Sequence, residues 1–306
     1  MSAEKNGNAI LRSLSEAIVE VAETVSPHVV RISSDFGTGT GVVWSKDGYI
    51  LTCDHVVGRV QEVEVTRADG SSIPAKVVGR DRDSDLALLK AQGDGLPPIQ
   101  LGDSSNLRVG EFVMAFANPS GRQPGLTTGI VTSLRGRVGR WGGGLQGGLI
   151  LTDARVNPGY SGGPLVDAAG RMIGLDVAYF ARRGVAIPVN AAMVVADKLM
   201  KDGKIKKAFL GIATEDVELP KDVASMPEVG QETGMLVMSV EQDSPAKRSG
   251  LVLGDVILSI GDTRVEGHPD LRGALGDQAI GRPTELKVLR AEKVIKVNVV
   301  PVEAAS

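Results

Sequence analysis

Cysteine is almost missing from this sequence: Cys53 stands alone among 306 residues. An internal disulfide is therefore excluded, and the fold must rest on core packing, which a chain of this length can supply. A single cysteine fits a reducing compartment and equally a secreted protein that needs no bridge. Histidine is also scarce, with only His28, His55 and His268. Three scattered histidines and one cysteine offer no cluster with zinc-ligand spacing, so neither a metal nor an organic cofactor is expected. No apolar run approaches the roughly 20 residues of a membrane span. The net charge of −3 provides no basic field to draw nucleic acid. The short basic run Lys204-Ile205-Lys206-Lys207 reads as a solvated linker. A secretory leader is not evident either: Glu4 precedes anything apolar, and Glu16, Glu20 and Glu23 interrupt the candidate region. If Met1 is the native start, the expected location is the cytoplasm; if the natural chain begins earlier, it is the periplasm or the exterior.

What the sequence does have is glycine, 39 residues of it, and valine throughout. That pairing favours short strands and tight turns. Apolar or alternating runs recur at Val29–Ile32, Gly41–Trp44, Tyr49–Thr52, Gln61–Arg67, Ile73–Val78, Leu86–Leu89, Phe112–Phe116, Thr128–Ser133, Leu149–Thr152, Met172–Val177 and Val185–Ile187. Turn signals such as Lys46-Asp47-Gly48 separate them. So many strands without long intervening helices imply a β barrel or a sandwich pair. Leu11, Leu14, Ile18, Val21 and Val25 fall on one helical face, predicting a docking helix over 9–25 that starts near Ser13 and stops at Pro27. A second helix is predicted over 191–200, ended by Gly203. The glycine-rich stretch 136–148 reads as a mobile loop. These signals divide the chain into a helical segment at 1–27, a first domain at 28–203, a linker at 204–207 and a smaller domain at 208–306.

The decisive stretch is Asn157-Pro158-Gly159-Tyr160-Ser161-Gly162-Gly163-Pro164-Leu165. A serine among glycines on a tight turn presents a hydroxyl beside backbone N–H groups, and those of Gly159 and Ser161 can converge on an oxyanion. Such a hydroxyl needs a base. His55 ends the apolar run from Tyr49, where a core strand reaches the surface, whereas His28 sits at a helix end and His268 lies in the second domain. The imidazole in turn needs an acceptor on its other nitrogen. Asp85, directly before the buried run Leu86-Ala87-Leu88-Leu89, is the acid drawn inward; Asp81 and Asp83 alternate with arginines and read as solvated charges. Asp54 and Asp153 remain open as alternatives. Cys53, two residues before His55, is a conceivable thiol nucleophile, but its surroundings read as a buried strand.

The order His, Asp, Ser, with Leu51-Thr52-x-x-His55-Val56-Val57, Asp85-Leu86-Ala87-Leu88-Leu89-Lys90 and Asn157-Pro158-Gly159-x-Ser161-Gly162-Gly163-Pro164-Leu165, resembles the HtrA (DegP/DegS) family of serine proteases. Gly39-Thr40-Gly41-Val42-Val43, Phe116-Ala117-Asn118-Pro119, Thr128-Gly129-Ile130-Val131 and Gly184-Val185-Ala186-Ile187-Pro188 resemble it too. The resemblance runs from about Glu16 to Val300. It implies a mainly β chain: a chymotrypsin-like protease domain of two six-stranded barrels with the site between them, and a C-terminal PDZ domain. It also implies trimer-based assembly and activity on unfolded or misfolded protein. Carried over by position, His55, Asp85 and Ser161 take the triad roles, and the amides of Gly159 and Ser161 form the oxyanion hole. Two positions depart from the family. Tyr160 replaces the usual Asn. Arg155 replaces a small residue near the floor of the specificity pocket, where it would either favour an acidic residue before the scissile bond or point to solvent.

Phe209-Leu210-Gly211-Ile212, Gly234-Met235-Leu236-Val237, Ser244-Pro245-Ala246 with Gly250-Leu251, and Gly254-Asp255-Val256-Ile257-Leu258 resemble a PDZ domain. The Leu210-Gly211 turn can present N–H groups to a C-terminal carboxylate, and the strand after it can accept an added peptide strand. Ile212, Leu271 and Leu275 are candidate pocket residues, although all three would also suit a core. The expected function is endoproteolysis by an acyl-enzyme mechanism, with unfolded polypeptides and C-terminal peptides as partners. The alternative is a catalytically weak or inactive peptide-binding or chaperone protein that uses the PDZ groove.

Overall fold

The computed structural model describes residues 2–35, 37–93, 95–136, 148–180 and 183–304. The interior of the expected mobile loop, 137–147, lies outside them. Val63 and Val65 alternate with Glu62 and Glu64, and in β4 (Glu62–Thr66) the valines are buried and the glutamates exposed. β4 belongs to a closed antiparallel barrel with β1 (Val29–Ser34), β2 (Gly37–Val43), β3 (Tyr49–Cys53), β5 (Ser72–Asp81) and β6 (Leu86–Ala91), in the order β1-β2-β3-β6-β5-β4. Ile32, Ile50, Leu51, Leu88 and Leu89 are fully buried there. Each stabilises the fold by about 1.5–3 kcal/mol relative to exposure. Closure leaves no strand edge unpaired.

A second closed barrel joins β7 (Phe112–Ala117), β8 (Gly125–Gly136), β9 (Leu149–Thr152), β10 (Pro164–Asp167), β11 (Met172–Phe180) and β12 (Arg183–Pro188), in the order β10-β11-β12-β9-β8-β7. Its core gathers Val113, Ala115, Ala117, Val131, Ile150, Ala154, Leu165 and Ile173, and Tyr160 joins them. β10 is the strand that the sequence reading left inside the serine motif. The short helix α2 (Asp54–Val57) follows β3, and the longer α3 (Val189–Asp202) packs on strands of both barrels. Gly203 at φ +69 ends α3, and its carbonyl lies so close to Gly79 that a Cβ there would stand 2.2 Å away.

Helix α1 runs Ser2–Val25, so it starts well before the expected Ser13. Its apolar face is not a docked face along its length. Val21 and Val25 lie against Gly170 in the β10–β11 turn, while Ile10, Leu11 and Leu14 are at least half exposed. The three-and-four spacing marks the face, and Val21 and Val25 on it meet the second barrel.

The chain clusters into two units, 1–204 and 205–306. In the second, β14 (Ile212–Glu218), β15 (Thr233–Val240), β16 (Val256–Ile260), β18 (Thr284–Arg290) and β19 (Lys293–Val299) form a sheet in that order, with β17 (Thr263–Arg264) pairing β16. β13 (Ala208–Phe209) and β20 (Val302–Glu303) pair separately. Short helices α4 (Lys221–Ala224), α5 (Pro245–Arg248) and α6 (His268–Ala274) complete the unit, with α6 beside β14. Asp255, fully buried, accepts two hydrogen bonds of 2.7 Å from Arg290. β14 lies at the edge of its sheet.

Candidate active site

His55 and Asp85 meet because two strands of the first barrel end side by side. β3 pairs β6, with Cys53 opposite Leu86. The chain then turns into α2, where the N–H of Asp54 donates to the Asp85 carbonyl at 2.9 Å. Asp85 takes φ +57, a left-handed conformation rare outside glycine that costs roughly 1–2 kcal/mol. That backbone turns its carboxylate onto His55 twice: Oδ1 accepts the His55 N–H at 3.0 Å, and Oδ2 accepts Nδ1–H at 2.6 Å. A carboxylate only accepts, so in the neutral imidazole the proton sits on Nδ1 and Nε2 carries the lone pair. The Asp85 side chain is 7% exposed and that of His55 44%, so a buried acid orients a reachable base.

The other candidate acids have different duties. Asp81, expected in solvent, is buried, and its Oδ2 accepts the Ser84 N–H at 3.1 Å; that capping bond, available in the tight turn before Asp85, is what draws it inward. Asp83 is exposed as expected. Asp153 is exposed and accepts the Ile130 N–H at 2.7 Å, tying β8 to the end of β9. Asp54 sits near Asp85; burial, then the charge of Asp85, raises its carboxyl above the usual range. Cys53 is buried, and its thiol is pushed well up by burial and then by Asp85, which makes it a poor nucleophile. His28 bonds the Pro97 carbonyl at 2.8 Å, away from these groups.

Ser161 comes from the second barrel, on the turn between β9 and β10. The Tyr160 N–H donates to the Asn157 carbonyl at 3.0 Å, and the Gly163 N–H to the Tyr160 carbonyl at 2.8 Å. Glycine is required here by crowding. A Cβ on Gly162, which has φ +88, would stand 2.0 Å from the Thr40 carbonyl oxygen and 2.4 Å from Thr52 Oγ1. A Cβ on Gly163 would stand 2.0 Å from the Phe116 carbonyl oxygen. The turn therefore presses on β2 and on β3, the strand that delivers His55. The Thr40 N–H donates to the Ser161 carbonyl at 3.0 Å, and the Gly162 N–H to the Asp176 carbonyl at 2.7 Å. Cys53 Sγ reaches that same carbonyl at 3.5 Å. The Ser161 hydroxyl donates to the Val177 carbonyl at 3.1 Å. Turning it toward the imidazole gives up that bond, worth roughly 1 kcal/mol.

Thr40, which entered the sequence reading only within a family phrase, clamps this turn. Its hydroxyl donates to the Gly159 carbonyl at 2.6 Å and accepts the Asn118 N–H at 3.1 Å. With the Tyr160 N–H held by the Asn157 carbonyl, both sides of the Gly159–Tyr160 peptide are fixed. Among the described residues, the N–H groups of Gly159 and Ser161, on either side of that peptide, donate to no protein acceptor. Tyr160 packs into the second core and bonds Asn157, so the bulky replacement anchors the turn from beneath; burial raises its phenol pKa. Asp176, also missed, is wholly buried on β11, and neither carboxylate oxygen has a partner among the described residues. Burial pushes its carboxyl well above the usual range. The available signal was an acid inside the apolar run Met172–Val177. Arg155 is exposed, and its carbonyl accepts the Thr127 hydroxyl at 2.8 Å.

In the second unit, Gly211 has φ +79, and a Cβ there would stand 2.2 Å from that of Ser244. The Ala246 N–H donates to the Leu210 carbonyl at 2.9 Å, and the Glu241 N–H to that of Gly211 at 2.8 Å, which fixes the turn before β14. Leu210 and Leu271 are buried in the core of the unit, whereas Ile212 and Leu275 are half-buried against it.

Residues 39–175 match the trypsin-like peptidase domain, and residues 208–300 match the PDZ domain. A probable periplasmic serine endoprotease, DegP-like, of Pseudomonas putida (strain W619) is 39% identical over 265 residues, covering 83% of this chain and 53% of that protein. A relative of the same description from Halomonas elongata is 37% identical over 258 residues, covering 82% of this chain and 53% of its own length. The chain thus spans about half the length of these relatives. The HtrA-type protease AlgW, solved with a tripeptide, superposes with a TM-score of 0.81 at 30% identity, covering 94% of this chain and 97% of that one. The serine endoprotease from Yersinia pestis gives 0.77 at 28% identity, covering 93% and 97%. With two six-stranded barrels, a trypsin-like domain and a PDZ domain in that order, the chain belongs to the HtrA family of serine proteases.

Proposed function

We propose that this chain is a serine endopeptidase that cleaves unfolded or misfolded polypeptides through an acyl-enzyme. Ser161 Oγ attacks the scissile carbonyl while His55 Nε2 takes its proton; Asp85 stabilises the imidazolium, and the N–H groups of Gly159 and Ser161 receive the oxyanion. His55 then protonates the leaving amine, and water, deprotonated by the same nitrogen, releases the acyl group. The observation that carries this reading is the 2.6 Å bond from His55 Nδ1 to a buried carboxylate that also accepts the His55 N–H. Every step is carried by side chains and amides of this chain. Exposed segments of unfolded protein suit such a site because an extended peptide must lie across it.

For the second unit, the proposed ligand is a C-terminal peptide added as a strand to the edge of β14, its carboxylate at the Leu210-Gly211 turn and its last side chain near Ile212 and Leu275. Leu271 then supports the pocket from the core. The proposed domain limits are those of the sequence reading, 28–203 and 208–306. A trimer and a periplasmic location are proposed from the family and from the names of the relatives.

A second reading, a peptide-binding protein at rest, is favoured by the Ser161 hydroxyl donating to Val177 rather than to the base. Casein digestion separates the two. The parent is expected to cleave, and Ser161→Ala to lose about 10⁶-fold in kcat. Equal digestion by both would refute the proposed nucleophile, and none by either would favour the binder.

A further inference from the structure

The sequence spreads its few metal-binding residue types widely, but the fold gathers three of them. Cys53 Sγ, a ring nitrogen of His55 and a carboxylate oxygen of Asp85 all lie within 4.8 Å of one another. We propose that these three side chains form a site for a divalent cation of the zinc class, and that its occupation switches off the proposed protease. The inference rests on His55 and Asp85 serving catalysis.

The donor set is thiolate, imidazole and carboxylate, the combination that suits zinc and cadmium over magnesium or calcium. Tetrahedral coordination with bonds of about 2.0–2.3 Å needs donors roughly 3.3–3.8 Å apart. To reach that spacing Nδ1 and Oδ2 must open from 2.6 Å, and no pair of donors, all within 4.8 Å, has more than about 1.5 Å to close. The His55 side chain is 44% exposed, which gives an ion a way in. Electrostatics favours a dication. The carboxylate of Asp85 lies within 4.8 Å of the other two donors and attracts a doubly charged ion placed among them.

The chemistry makes occupation inhibitory. On binding, the Cys53 S–H bond breaks, its proton leaves to solvent and a sulfur–metal bond forms; the Nδ1–H bond of His55 breaks as well, its proton passing through water to Nε2 as the nitrogen–metal bond forms. A neutral imidazole bound through Nδ1 must carry its proton on Nε2. That is the nitrogen that would accept the proton of Ser161, so a loaded site has no base. No oxidation or reduction is involved.

The test titrates Zn²⁺ into the chelator-treated full chain by calorimetry, and in parallel follows fluorophosphonate labelling of Ser161. One Zn²⁺ per chain is expected, with labelling lost as the site fills and restored by EDTA. Cys53→Ser should label at the parental rate without metal, and its Zn²⁺ affinity should fall by about 100-fold or more. Inhibition of Cys53→Ser at the parental Zn²⁺ concentration would overturn the site. Co²⁺ added to the parent provides a check independent of the variant's folding and of activity. A thiolate-to-cobalt absorption band in the near ultraviolet is expected, and its absence would overturn the proposal. If the metal-free parent never labels, it is the protease reading that fails, while calorimetry and the cobalt band still report on the metal site.

Discussion

The two barrels make their shares of the site by different physics. The first supplies charged side chains: a buried carboxylate in a left-handed bend makes two hydrogen bonds to one histidine. The second supplies backbone: Gly162 lets the turn press against Thr40 of β2 and Thr52 of β3, Gly163 against Phe116 of β7 and Gly159 against Pro119, so that the turn presents amides and one hydroxyl. One half rests on electrostatics in a low-dielectric pocket, the other on steric permission. Substitutions should therefore damage the halves in distinguishable ways, electronically in the first and geometrically in the second.

The largest effect is expected in the first barrel. Asp85→Asn keeps the size of the side chain but removes the acceptor that fixes the tautomer, and kcat should fall about 10⁴-fold with the fold intact. Steady-state kinetics with circular dichroism checks this, and a fall below tenfold would mean that the carboxylate does not orient the base. Next comes the clamp from β2 onto the turn. Thr40→Val removes the hydroxyl between Asn118 and Gly159, and kcat should fall about 10- to 100-fold at nearly constant KM, because the oxyanion amides lose their alignment. A change confined to KM would place Thr40 in substrate binding instead.

Smaller is the effect expected from Arg155→Ala. If the exposed guanidinium pairs with acidic residues before the scissile bond, mass spectrometry of casein fragments should show the share of acidic termini falling severalfold. Unchanged termini would place Arg155 in solvent. Smallest is Asp176→Asn, which touches stability alone. Burial holds the Asp176 carboxyl in the folded chain well above its unfolded value of about 4, so this carboxyl lowers stability as pH rises from there. The amide variant should melt higher than the parent, and the gap should widen from pH 4 to pH 8. A gap independent of pH would mean that the carboxyl is ionised in the fold.

How far the sequence could be read follows from the same division. Strands announced themselves through alternation and glycine punctuation, and Asp85 could be singled out because it abuts a buried run. Both are local signals. Asp81 was misread because its alternation with Arg80 and Arg82 looked like a solvated stretch, whereas a capping bond to the next turn buries it. Helix α1 was legible as a helix, but its spacing could not tell that Val21 and Val25 would find a surface while Ile10, Leu11 and Leu14 would stay exposed. Thr40 escaped because its partners, Asn118 and Gly159, lie 78 and 119 residues away. The gathering of Cys53 with Asp85 was hidden likewise, since β3 and β6 meet only in the closed barrel.

The central claim is that the pair of exposed His55 and buried Asp85 activates the hydroxyl of Ser161. Labelling with a fluorophosphonate, followed by peptide mapping, tests it most directly. The account predicts a single phosphonyl adduct on Ser161, formed rapidly in the parent and slowed by orders of magnitude in Asp85→Asn. An adduct elsewhere, or equal rates in the two proteins, would contradict it.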